Sequence, residues 1–405
     1  MKICAISQYY WPEPVNVSDI CEELARRGHE VTVITGRPNY PEGFIYNGYE
    51  GNKHADEIVR GVRVLRTSIY PRKNGVLNRV INYYSFPFYG KKLAKKITSS
   101  FDVVLIFQLS PILIAKFGLW YARRKKTPSF LYVIDIWPES LVASGIKKNT
   151  LIFKWFSRIS KKAYATADKL AITSPGFNGY IADLIGKEID AVYLPQYAED
   201  IFSNENTELP EGYDVGKINL SFTGNVGAAQ SVETIVRAAE ILKHKSKIVF
   251  HIVGSGSELK DCKALARNLG LNNIIFHGRK PLEQMPAYYQ ASDAMLATFS
   301  STPILAYTLP RKIQSYMAAG RPIIGAVIGE AEKVVREAKC GFCCETEDYK
   351  GLAEACAAFS ELSEQKRNQL GESAKDYYEK HFSRQVFFEV LENELEQLKG
   401  TVHHD

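Results

Sequence analysis

Short apolar stretches alternate with amphipathic stretches along most of the chain. "KICAI" predicts a strand, "VSDICEELARRG" carries apolar residues at helical spacing before a glycine, and "HEVTVIT" predicts the next strand. The same alternation continues to about residue 185. Strands with few charges, separated by amphipathic helices, are typical of a parallel sheet covered by helices on both faces. The first half therefore predicts a doubly wound α/β domain.

A polar stretch over residues 197–217, "YAEDIFSNENTELPEGYDVGK", interrupts this rhythm and predicts a linker. The alternation then restarts with the strand "INLSFTG" and runs to a last helix near residues 384–398. We therefore predict an N-terminal domain over residues 1–198 and a C-terminal domain over 217–381. Two doubly wound domains are expected to place the carboxyl ends of their strands, and hence their binding loops, around a central cleft.

The composition is that of a globular protein of two or three domains. Apolar residues make up 45% and charged residues 24% of the 405 residues. There is no apolar run long enough to span a bilayer, and the N-terminus lacks the apolar core of a signal peptide. These features predict a cytoplasmic protein. The seven cysteines include "KCGFCC", but no second pair or nearby histidine completes a zinc set, so we expect packed thiols and no metal.

Positive charge is concentrated in the first half. Residues 1–198 contain 28 Lys and Arg against 16 Asp and Glu, a net charge of +12, whereas the remainder carries −6. Three basic segments also carry aromatic residues: "NRVINYYSFPFYGKKLAKKI", "WYARRKKTP" and "KKNTLIFKWFSRISKK". This mixture suits the headgroup layer of an anionic membrane, or else core aromatics beside a solvated charged face. No module that reads nucleic acid accompanies the charge, so we expect no nucleic-acid partner.

Two glycine turns join a strand to a helix in the second half. "FTGNVGAAQS" contains Gly224, Asn225 and Gln230, and "VGSGSE" contains Gly254. Such turns expose free backbone N–H groups at the positive end of a helix dipole, which is a phosphate site, although tight packing explains each turn equally well.

The stretch "LPRKIQSYMAAGRPIIGA" places Arg311 and Lys312 at the start of a helix, directly after Pro310. Cations at this end oppose the helix dipole, at a cost of about 0.3–1 kcal/mol each when exposed. The arrangement is explained if an anion such as a diphosphate lies in front of them. The alternative is a solvated charge pair.

Carboxylates follow two strands of the first half. Glu13 lies between two prolines after the first strand, with Asn16 close behind, and Asp135 and Glu139 flank the tryptophan of "VIDIWPES". Because the carboxyl ends of parallel strands share one edge of a sheet, both loops are expected to meet there. These side chains could act as general bases or bind sugar hydroxyls, or each could merely cap a helix.

Taken together, these motifs and "FHGRKPLEQMPAYYQASDAML" resemble, in order and over nearly the whole chain, family-4 glycosyltransferases of the GT-B fold. The resemblance is strongest to the WbuB-type group, N-acetyl-L-fucosamine transferases of bacterial O-antigen and capsule synthesis. It implies two Rossmann-like domains that face a central cleft, with the segment from about 382 to 405 crossing back onto the first domain.

The resemblance also implies the reaction. A sugar would pass from a UDP-sugar on the second domain to an undecaprenyl-diphosphate-linked N-acetylglucosamine on the first, at the cytoplasmic face of the inner membrane. No cofactor or metal is expected, because protein cations and helix ends neutralise the leaving diphosphate. With the turn at Gly254, the predicted donor site comprises Gly224, Asn225, Gln230, Gly254, Gly278, Arg279, Lys280, Arg311, Lys312 and Ser315. The predicted catalytic residues are Asp135 and Glu13, and Asn16 and Glu139 lie on the acceptor side.

The sequence departs from the family pattern at several positions. Asn225 and Gln230 stand where most members have an Arg and a Lys that grip the diphosphate. Tyr307 and Ser315 stand where most have two glutamates, and Asp135 replaces a histidine. These changes place more of the diphosphate binding on Arg311 and Lys312. They also raise the hypothesis of an inverting displacement with Asp135 or Glu13 as base, although the family generally retains configuration.

Two other functions fit parts of the pattern. A UDP-N-acetylglucosamine 2-epimerase would share the fold and the nucleotide but need no lipid acceptor. A non-catalytic sugar-nucleotide-binding subunit would explain the missing glutamates.

Overall fold

The computed structural model describes residues 1–73, 75–142, 146–203 and 208–400. It divides the chain into two compact units. Unit 1 comprises Met1–Thr173, Phe177–Leu194 and the segment from Leu391 onward, and unit 2 comprises Ser174–Gly176 and Pro195–Val390. The last segment therefore joins unit 1 from Leu391, not from about residue 382 as the sequence suggested.

Unit 1 is built on an eight-stranded sheet with the order β3-β4-β2-β1-β5-β6-β7-β8. Its strands are β1 (Lys2–Ile6), β2 (Glu30–Gly36), β3 (Asp56–Val59), β4 (Val62–Thr67), β5 (Val103–Gln108), β6 (Ser129–Val133), β7 (Lys169–Ile172) and β8 (Ala191–Tyr193). The accompanying helices are α1 (Val17–Arg26), α2 (Val76–Ala94), α3 (Leu113–Lys125), α4 (Glu139–Val142), α5 (Leu151–Thr166) and α6 (Gly176–Ile185). Every residue of β5 and β6 is buried, because helices cover both faces of the sheet.

Unit 2 is built on a six-stranded, all-parallel sheet with the order β11-β10-β9-β12-β13-β14. Its strands are β9 (Ile218–Thr223), β10 (Ile248–Val253), β11 (Ile274–Gly278), β12 (Ala294–Thr298), β13 (Ile323–Ala326) and β14 (Gly341–Cys344). The helices are α7 (Val232–Ile241), α8 (Leu259–Asn268), α9 (Met285–Gln290), α10 (Pro303–Ala306), α11 (Arg311–Ala318), α12 (Glu330–Glu337), α13 (Tyr349–Ser360), α14 (Glu364–His381) and α15 (Arg384–Gly400). Short 3-10 helices cover Asp200–Ser203, Ala228–Gln230 and Leu282–Gln284.

One strand departs from the predicted parallel pattern. β3 pairs antiparallel with β4 at the edge of the sheet of unit 1. The two residues between them, Arg60 and Gly61, both have positive φ, 46° and 86°, the backbone signs of the turn that closes a two-residue hairpin. The charged sequence "DEIV" does not have the apolar pattern of a buried strand, and an edge strand does not require one.

Helix α15 begins in unit 2 and ends in unit 1. In unit 2 the rings of Phe387 and Tyr197 lie 4.9 Å apart, and in unit 1 Leu395 is fully buried. In unit 1 Glu392 also accepts hydrogen bonds from Arg27 (2.9 Å) and lies 2.8 Å from His29. Burial of a leucine side chain contributes roughly 1.5–3 kcal/mol, whereas a partly exposed ion pair contributes about 0–1 kcal/mol. Apolar packing therefore supplies most of the attachment.

The strand order reverses once in each sheet. In unit 1 the strands that follow β1 are added on one side of it, and those that follow β5 are added on the opposite side of the sheet. In unit 2 the direction of strand addition changes in the same way between β9 and β12. In open α/β sheets such a reversal opens a crevice at the carboxyl ends of the strands, where ligands bind. The loops that follow these four strands are therefore the first places to look for chemistry.

Candidate active site

A cavity of about 460 Å³ lies in unit 2 at the carboxyl ends of β9 and β10. Eight of the ten residues predicted to bind the donor line it; Gln230 and Gly278 do not. The full lining is Glu199, Phe202, Thr223, Gly224, Asn225, Val253, Gly254, Ser255, Arg279, Lys280, Met285, Tyr289, Arg311, Lys312 and Ser315. Four cations in one pocket suit a ligand of multiple negative charge.

Gly224 and Gly254 form the floor of this cavity through close backbone contact. The N–H of Gly224 donates to the carbonyl of Val253 (2.9 Å), and the N–H of Gly254 donates to the carbonyl of Gly278 (2.8 Å). Gly254 has φ +153°, and a Cβ atom at this position would lie 1.8 Å from the carbonyl oxygen of Gly224. The two strand ends can approach this closely only without side chains. Gly278 thus accepts the hydrogen bond that holds Gly254 and does not itself line the cavity.

We expect Gly254→Ala to destabilise the protein by roughly 2–4 kcal/mol, because a backbone oxygen cannot move aside as a side chain can. Gly270→Ala is the matched control. Gly270 also has positive φ (+63°), but a Cβ atom at this position would have no neighbour within 4 Å. Its loss should be limited to the backbone strain, about 1 kcal/mol. Equal shifts of the two variants in denaturant-induced unfolding would contradict the close contact at Gly254.

Lys312 supplies the unusual charge of the site. Its Nζ is buried, although part of the side chain stays accessible, and it lies 3.9 Å from the centroid of the Phe222 ring. Nζ has no hydrogen-bond partner among the described residues. Burial lowers the pKa of Lys312 to about 7. An ammonium group that is removed from water without a partner is costly, so this position indicates a ligand that supplies the missing charge.

Arg311 has partners that the sequence did not suggest. Its guanidinium forms an ion pair with Glu199, and its Nε donates to the carbonyl of Tyr197 (3.2 Å). Both partners come from the segment that the sequence suggested was a linker. Arg311 still lines the cavity, but its charge is balanced by Glu199, so the uncompensated cation of the pair is Lys312.

The residues that replace the family's usual ones lie as follows. Asn225 lines the cavity, and its Nδ2 donates to Oε1 of Gln230 (3.0 Å), which lies behind it. Ser315 also lines the cavity, and its Oγ donates to the carbonyl of Arg311 (3.3 Å). Gln230 therefore orients Asn225 and is not itself part of the cavity lining.

A group of buried hydroxyls at the cavity, which includes the lining residues Thr223 and Tyr289, was not predicted from the sequence. The hydroxyl of Tyr316 accepts a hydrogen bond from the N–H of Thr223 (3.2 Å), and the hydroxyls of Thr223 and Tyr289 lie 3.0 Å apart. Tyr316 is four residues after Lys312, so the two side chains share a face of α11. The four-residue spacing of Lys312 and Tyr316 is the sequence signal from which this group could have been predicted. The group fixes the end of β9, where Gly224 follows.

In unit 1, Glu13 lies in the loop after β1 and is buried. Its carboxylate accepts hydrogen bonds from the backbone N–H groups of Tyr10 (3.1 Å), Asn39 (2.8 Å) and Tyr40 (2.8 Å). Burial raises the pKa of Glu13 to about 7, against the lowering effect of these bonds. Glu13 therefore ties the loops after β1 and β2 together. Its predicted role as a base would compete with this one, because both oxygens are already engaged.

Asp135 lies after β6, beside the loop that follows β5. Its Oδ2 accepts hydrogen bonds from the N–H (3.0 Å) and the Oγ (2.8 Å) of Ser110, and Nε1 of Trp137 donates to the same Oγ (3.1 Å). Oδ1 accepts no hydrogen bond from any residue that the structure describes. Burial raises the pKa of Asp135, while Ser110 and the charge of Arg72 lower it. One oxygen is thus held and the other is available, as a general base requires.

Arg72 was not singled out from the sequence, because "YPRKNG" predicts only a loop. Its guanidinium lies 5.1 Å from the centroid of the Tyr40 ring, and its charge acts on the hydroxyl of Tyr9. Its charge acts on Asp135. A half-buried arginine near a carboxylate and two tyrosines gives this edge of unit 1 a place for an anionic group.

The two residues predicted on the acceptor side have local partners. Glu139 is buried at the start of α4 and forms an ion pair with Lys148 (2.9 Å). Asn16 is half-buried at the start of α1, and its carbonyl accepts a hydrogen bond from the N–H of Ile20 (3.0 Å). Both lie in loops at the carboxyl ends of strands of unit 1.

Comparison with known families decides the class of protein. Residues 15–196 match the glycosyl transferase 4-like domain, and residues 207–377 match glycosyl transferases group 1. The sheet of unit 2 is parallel and that of unit 1 is parallel apart from β3, and in each unit the polar site described above lies at the carboxyl ends of strands. The chain belongs to the GT-B glycosyltransferases.

Curated relatives of this glycosyltransferase cover most of its length. It is 25% identical over 334 residues to the probable glycosyltransferase WbjE of Pseudomonas aeruginosa, covering 79% of this chain and 81% of WbjE. It is 23% identical over 382 residues to WcaI of Escherichia coli K12, named as a glycosyl transferase of colanic acid biosynthesis, covering 87% and 88%.

Solved structures show the same fold. WaaG, a glycosyltransferase involved in lipopolysaccharide biosynthesis, matches with a TM-score of 0.66 at 15% identity, covering 99% of this chain and 100% of WaaG. HepE of Anabaena, in complex with UDP, matches with a TM-score of 0.68 at 13% identity, covering 98% and 99%. At these identities the likeness concerns the fold alone.

Proposed function

We propose that this glycosyltransferase transfers a sugar from a UDP-sugar to an undecaprenyl-diphosphate-linked N-acetylglucosamine in the synthesis of a bacterial surface polysaccharide, with N-acetyl-L-fucosamine as the donor sugar. The observation that carries the donor half is Lys312, a buried ammonium without a partner in a cavity with three other cations. A diphosphate would supply the negative charge that the buried ammonium group of Lys312 lacks as a partner. HepE, which shares the fold, was solved in complex with UDP, and we propose the same class of donor for this chain.

Donor departure needs stabilisation of the leaving diphosphate. Lys312 and the start of α11 lie at the same cavity and can act together on an oxyanion. Each interaction strengthens as negative charge moves from the sugar onto the diphosphate. This chain's own cations therefore perform the neutralising role, in keeping with the expectation of a metal-independent transfer.

The proposed acceptor site is the edge of unit 1 that carries Asp135 and Arg72. Asp135 would take the proton from the attacking hydroxyl through its available Oδ1, and Arg72 would bind the acceptor's diphosphate. This assignment makes the reaction inverting, although the resemblance to family-4 enzymes favours retention. The relatives assigned to colanic acid and lipopolysaccharide synthesis support a polysaccharide product.

Membrane contact is proposed through the outer surface of α2 and α5. Nine large apolar side chains of these two helices are exposed by more than a third, and they include aromatic rings of all three kinds: Leu77, Val80, Ile81, Tyr84, Phe88, Tyr89, Leu151, Ile152 and Trp155. Lys92 lies 4.4 Å from the Phe88 ring centroid, within the same surface. Aromatic rings beside lysines suit a bilayer interface. No helix in the described ranges is long and apolar enough to cross a membrane.

The test is incubation of the protein with UDP-N-acetyl-L-fucosamine and a synthetic lipid-diphosphate N-acetylglucosamine, followed by mass spectrometry. We expect a disaccharide product and stoichiometric UDP. NMR of the product anomer then decides the role of Asp135, since a retained centre excludes the general base. A 2-epimer formed without acceptor would identify an epimerase instead. UDP-sugar binding without any product from a panel of donors would identify a non-catalytic subunit.

A further inference from the structure

A second pocket, of about 410 Å³, lies in unit 1 among α2, α3 and α5. Its volume falls in the range of about 300–1,000 Å³ that is typical of ligand pockets. The residues of this helix pocket are Lys91, Lys116, Leu119, Trp120, Arg123, Trp155, Arg158, Ile159, Lys162, Ala163 and Thr166. It shares no residue with the predicted donor and acceptor sites.

Two indole rings form apolar walls of the helix pocket. Trp120 stacks on Phe117, with ring centroids 6.2 Å apart and planes 22° apart, so its position is fixed by the core of unit 1. Trp155 is 51% exposed, and its Nε1 donates to the hydroxyl of Tyr84 (3.2 Å). Trp155 therefore belongs both to the pocket and to the exposed aromatic surface of α2 and α5.

The charge of the helix pocket has one sign. It contains five cations, Lys91, Lys116, Arg123, Arg158 and Lys162, and no acidic side chain. Within the described residues none of the five forms an ion pair. Lys91 Nζ lies 5.2 Å from the centroid of the Trp120 ring. Clustered, uncompensated cations over an apolar wall call for a ligand with an anionic head and an apolar body.

We propose that the helix pocket binds an anionic glycerophospholipid, with the phosphate among the cations and an acyl chain between Trp120 and Trp155. Apart from the two indole rings, Thr166 is the one uncharged polar side chain in its lining, and its Oγ1 donates to the carbonyl of Lys162 (2.7 Å). The lining side chains therefore offer many hydrogen-bond donors but almost no acceptors for the hydroxyls of a sugar. This argues for a phospholipid and against the sugar-bearing acceptor. The inference deepens the proposed membrane contact and rests on that part of the proposed function.

A soluble lipid separates binding in the pocket from adsorption to a charged surface. Dihexanoyl phosphatidylglycerol, below its micelle concentration, should bind saturably and change the tryptophan fluorescence. Dihexanoyl phosphatidylcholine and glycerol phosphate should bind at least tenfold more weakly, because one lacks the net charge and the other the acyl chains. Equal binding of glycerol phosphate would overturn the proposal in favour of a simple anion site. Equal binding of phosphatidylcholine would overturn the charge assignment.

Charge reversal on α5 provides the matched variants. Arg158→Glu with Lys162→Glu reverses two cations of the pocket, whereas Lys154→Glu with Lys161→Glu reverses two exposed lysines of the same helix that lie outside it. All four positions are exposed, so both variants should unfold at the temperature of the parent protein. We expect the pocket variant to weaken phosphatidylglycerol binding more than tenfold, at about a factor of five per cation, and the control by less than threefold. Equal losses would show general electrostatic attraction and overturn the proposal.

Two further measurements isolate the acyl chain and the acceptor. Trp155→Ala should weaken binding of dihexanoyl phosphatidylglycerol but leave that of glycerol phosphate unchanged; no effect on either would overturn the placement of the acyl chain. A lipid-diphosphate N-acetylglucosamine that displaces phosphatidylglycerol at lower concentration than phosphatidylglycerol itself would reassign the pocket to the acceptor and overturn the proposal.

These measurements do not depend on sugar transfer. Lipid binding is read out directly, so it can succeed where the proposed transfer fails. Conversely, the pocket variant should keep its turnover on a water-soluble acceptor. It should lose turnover only on a lipid-linked acceptor that is embedded in vesicles of equal parts phosphatidylglycerol and phosphatidylcholine. Loss on both acceptors would show that these residues serve the reaction and not the membrane lipid.

Discussion

Replacing Lys312 by methionine is expected to weaken UDP binding by roughly 30-fold to more than 10³-fold. The loss follows from removal of a buried charge from a charge-assisted contact, which costs about 2–5 kcal/mol. Titration calorimetry with UDP measures the effect. Lys312→Arg, which keeps the charge on a larger group, should fall between the parent protein and Lys312→Met.

The same variant is expected to be more stable than the parent protein when no ligand is bound. Burial lowers the pKa of Lys312 to about 7 in the folded protein, whereas an unfolded lysine titrates near 10.5. Between these values the unfolded chain binds the extra proton, so the free energy of unfolding rises with pH across this range. The destabilisation of the folded protein by the buried charge of Lys312 is fully present below pH 7. The free energy of unfolding of Lys312→Met should therefore exceed that of the parent protein by about 2–3 kcal/mol at pH 7. This figure is smaller than the full pKa shift implies, because part of the Lys312 side chain remains accessible to solvent.

Donor affinity should also depend on pH. A bound diphosphate favours the charged form of Lys312, so binding takes up a proton once the free lysine has lost it. Affinity for a UDP-sugar, whose diphosphate is fully ionised near pH 7, should fall by up to tenfold per pH unit above 7. Lys312→Met should show no such slope. Lys333→Met is the control, because it removes a surface lysine that is 58% exposed. It should match the parent protein in UDP affinity, in stability and in the pH dependence of donor binding. A parent-like UDP affinity in Lys312→Met would refute the diphosphate assignment.

Replacing Asp135 by asparagine is expected to lower turnover by about 10²–10⁴-fold, because the amide cannot take a proton from the acceptor hydroxyl. The UDP affinity should stay unchanged, since Asp135 belongs to unit 1 and the donor cavity lies in unit 2. Steady-state rates at saturating donor and calorimetry with UDP separate these two quantities.

The chain offers a closely matched control for Asp135. Oδ2 of Asp168 accepts hydrogen bonds from the N–H (2.8 Å) and the Oγ (2.6 Å) of Ser129, the same arrangement that Ser110 makes with Asp135. Asp168 precedes β7 and Ser129 starts β6, so this pair lies at the amino ends of the strands, away from the binding edge. Asp168→Asn should lose comparable stability but keep its turnover. If the two variants lost turnover equally, the effect at Asp135 would be structural.

The fold could be predicted because its central strands are continuous apolar runs and its helices are amphipathic. "DVVLIF" and "KIVFHIVG" lie close to the observed β5 and β10. β3, β8 and β14, which escaped prediction, lie at sheet edges, where burial on one side places weaker demands on the sequence. Local pattern therefore identifies the inner strands best.

The donor cavity was predictable to the extent that it depends on local chemistry. Glycines at strand ends and cations at a helix start are visible in the sequence, and Gly224, Gly254 and Lys312 do line the cavity. The pairing of Arg311 with Glu199 joins residues that are far apart in the chain, so no local pattern announces it. The burial of Lys312 against Phe222 depends on tertiary packing for the same reason.

Helix α15 has a consequence for any attempt to study the halves apart. A fragment that stops at the polar stretch near residue 197 would leave the groove for Leu391, Leu395 and Leu398 open to water, and it would deprive Arg27 and His29 of Glu392. Fragment complementation with a peptide that spans the end of α15, or fusion of that peptide behind residue 194, would restore the missing wall. Unit 1 is thus a discontinuous module, and its closing piece follows the whole of unit 2 along the chain.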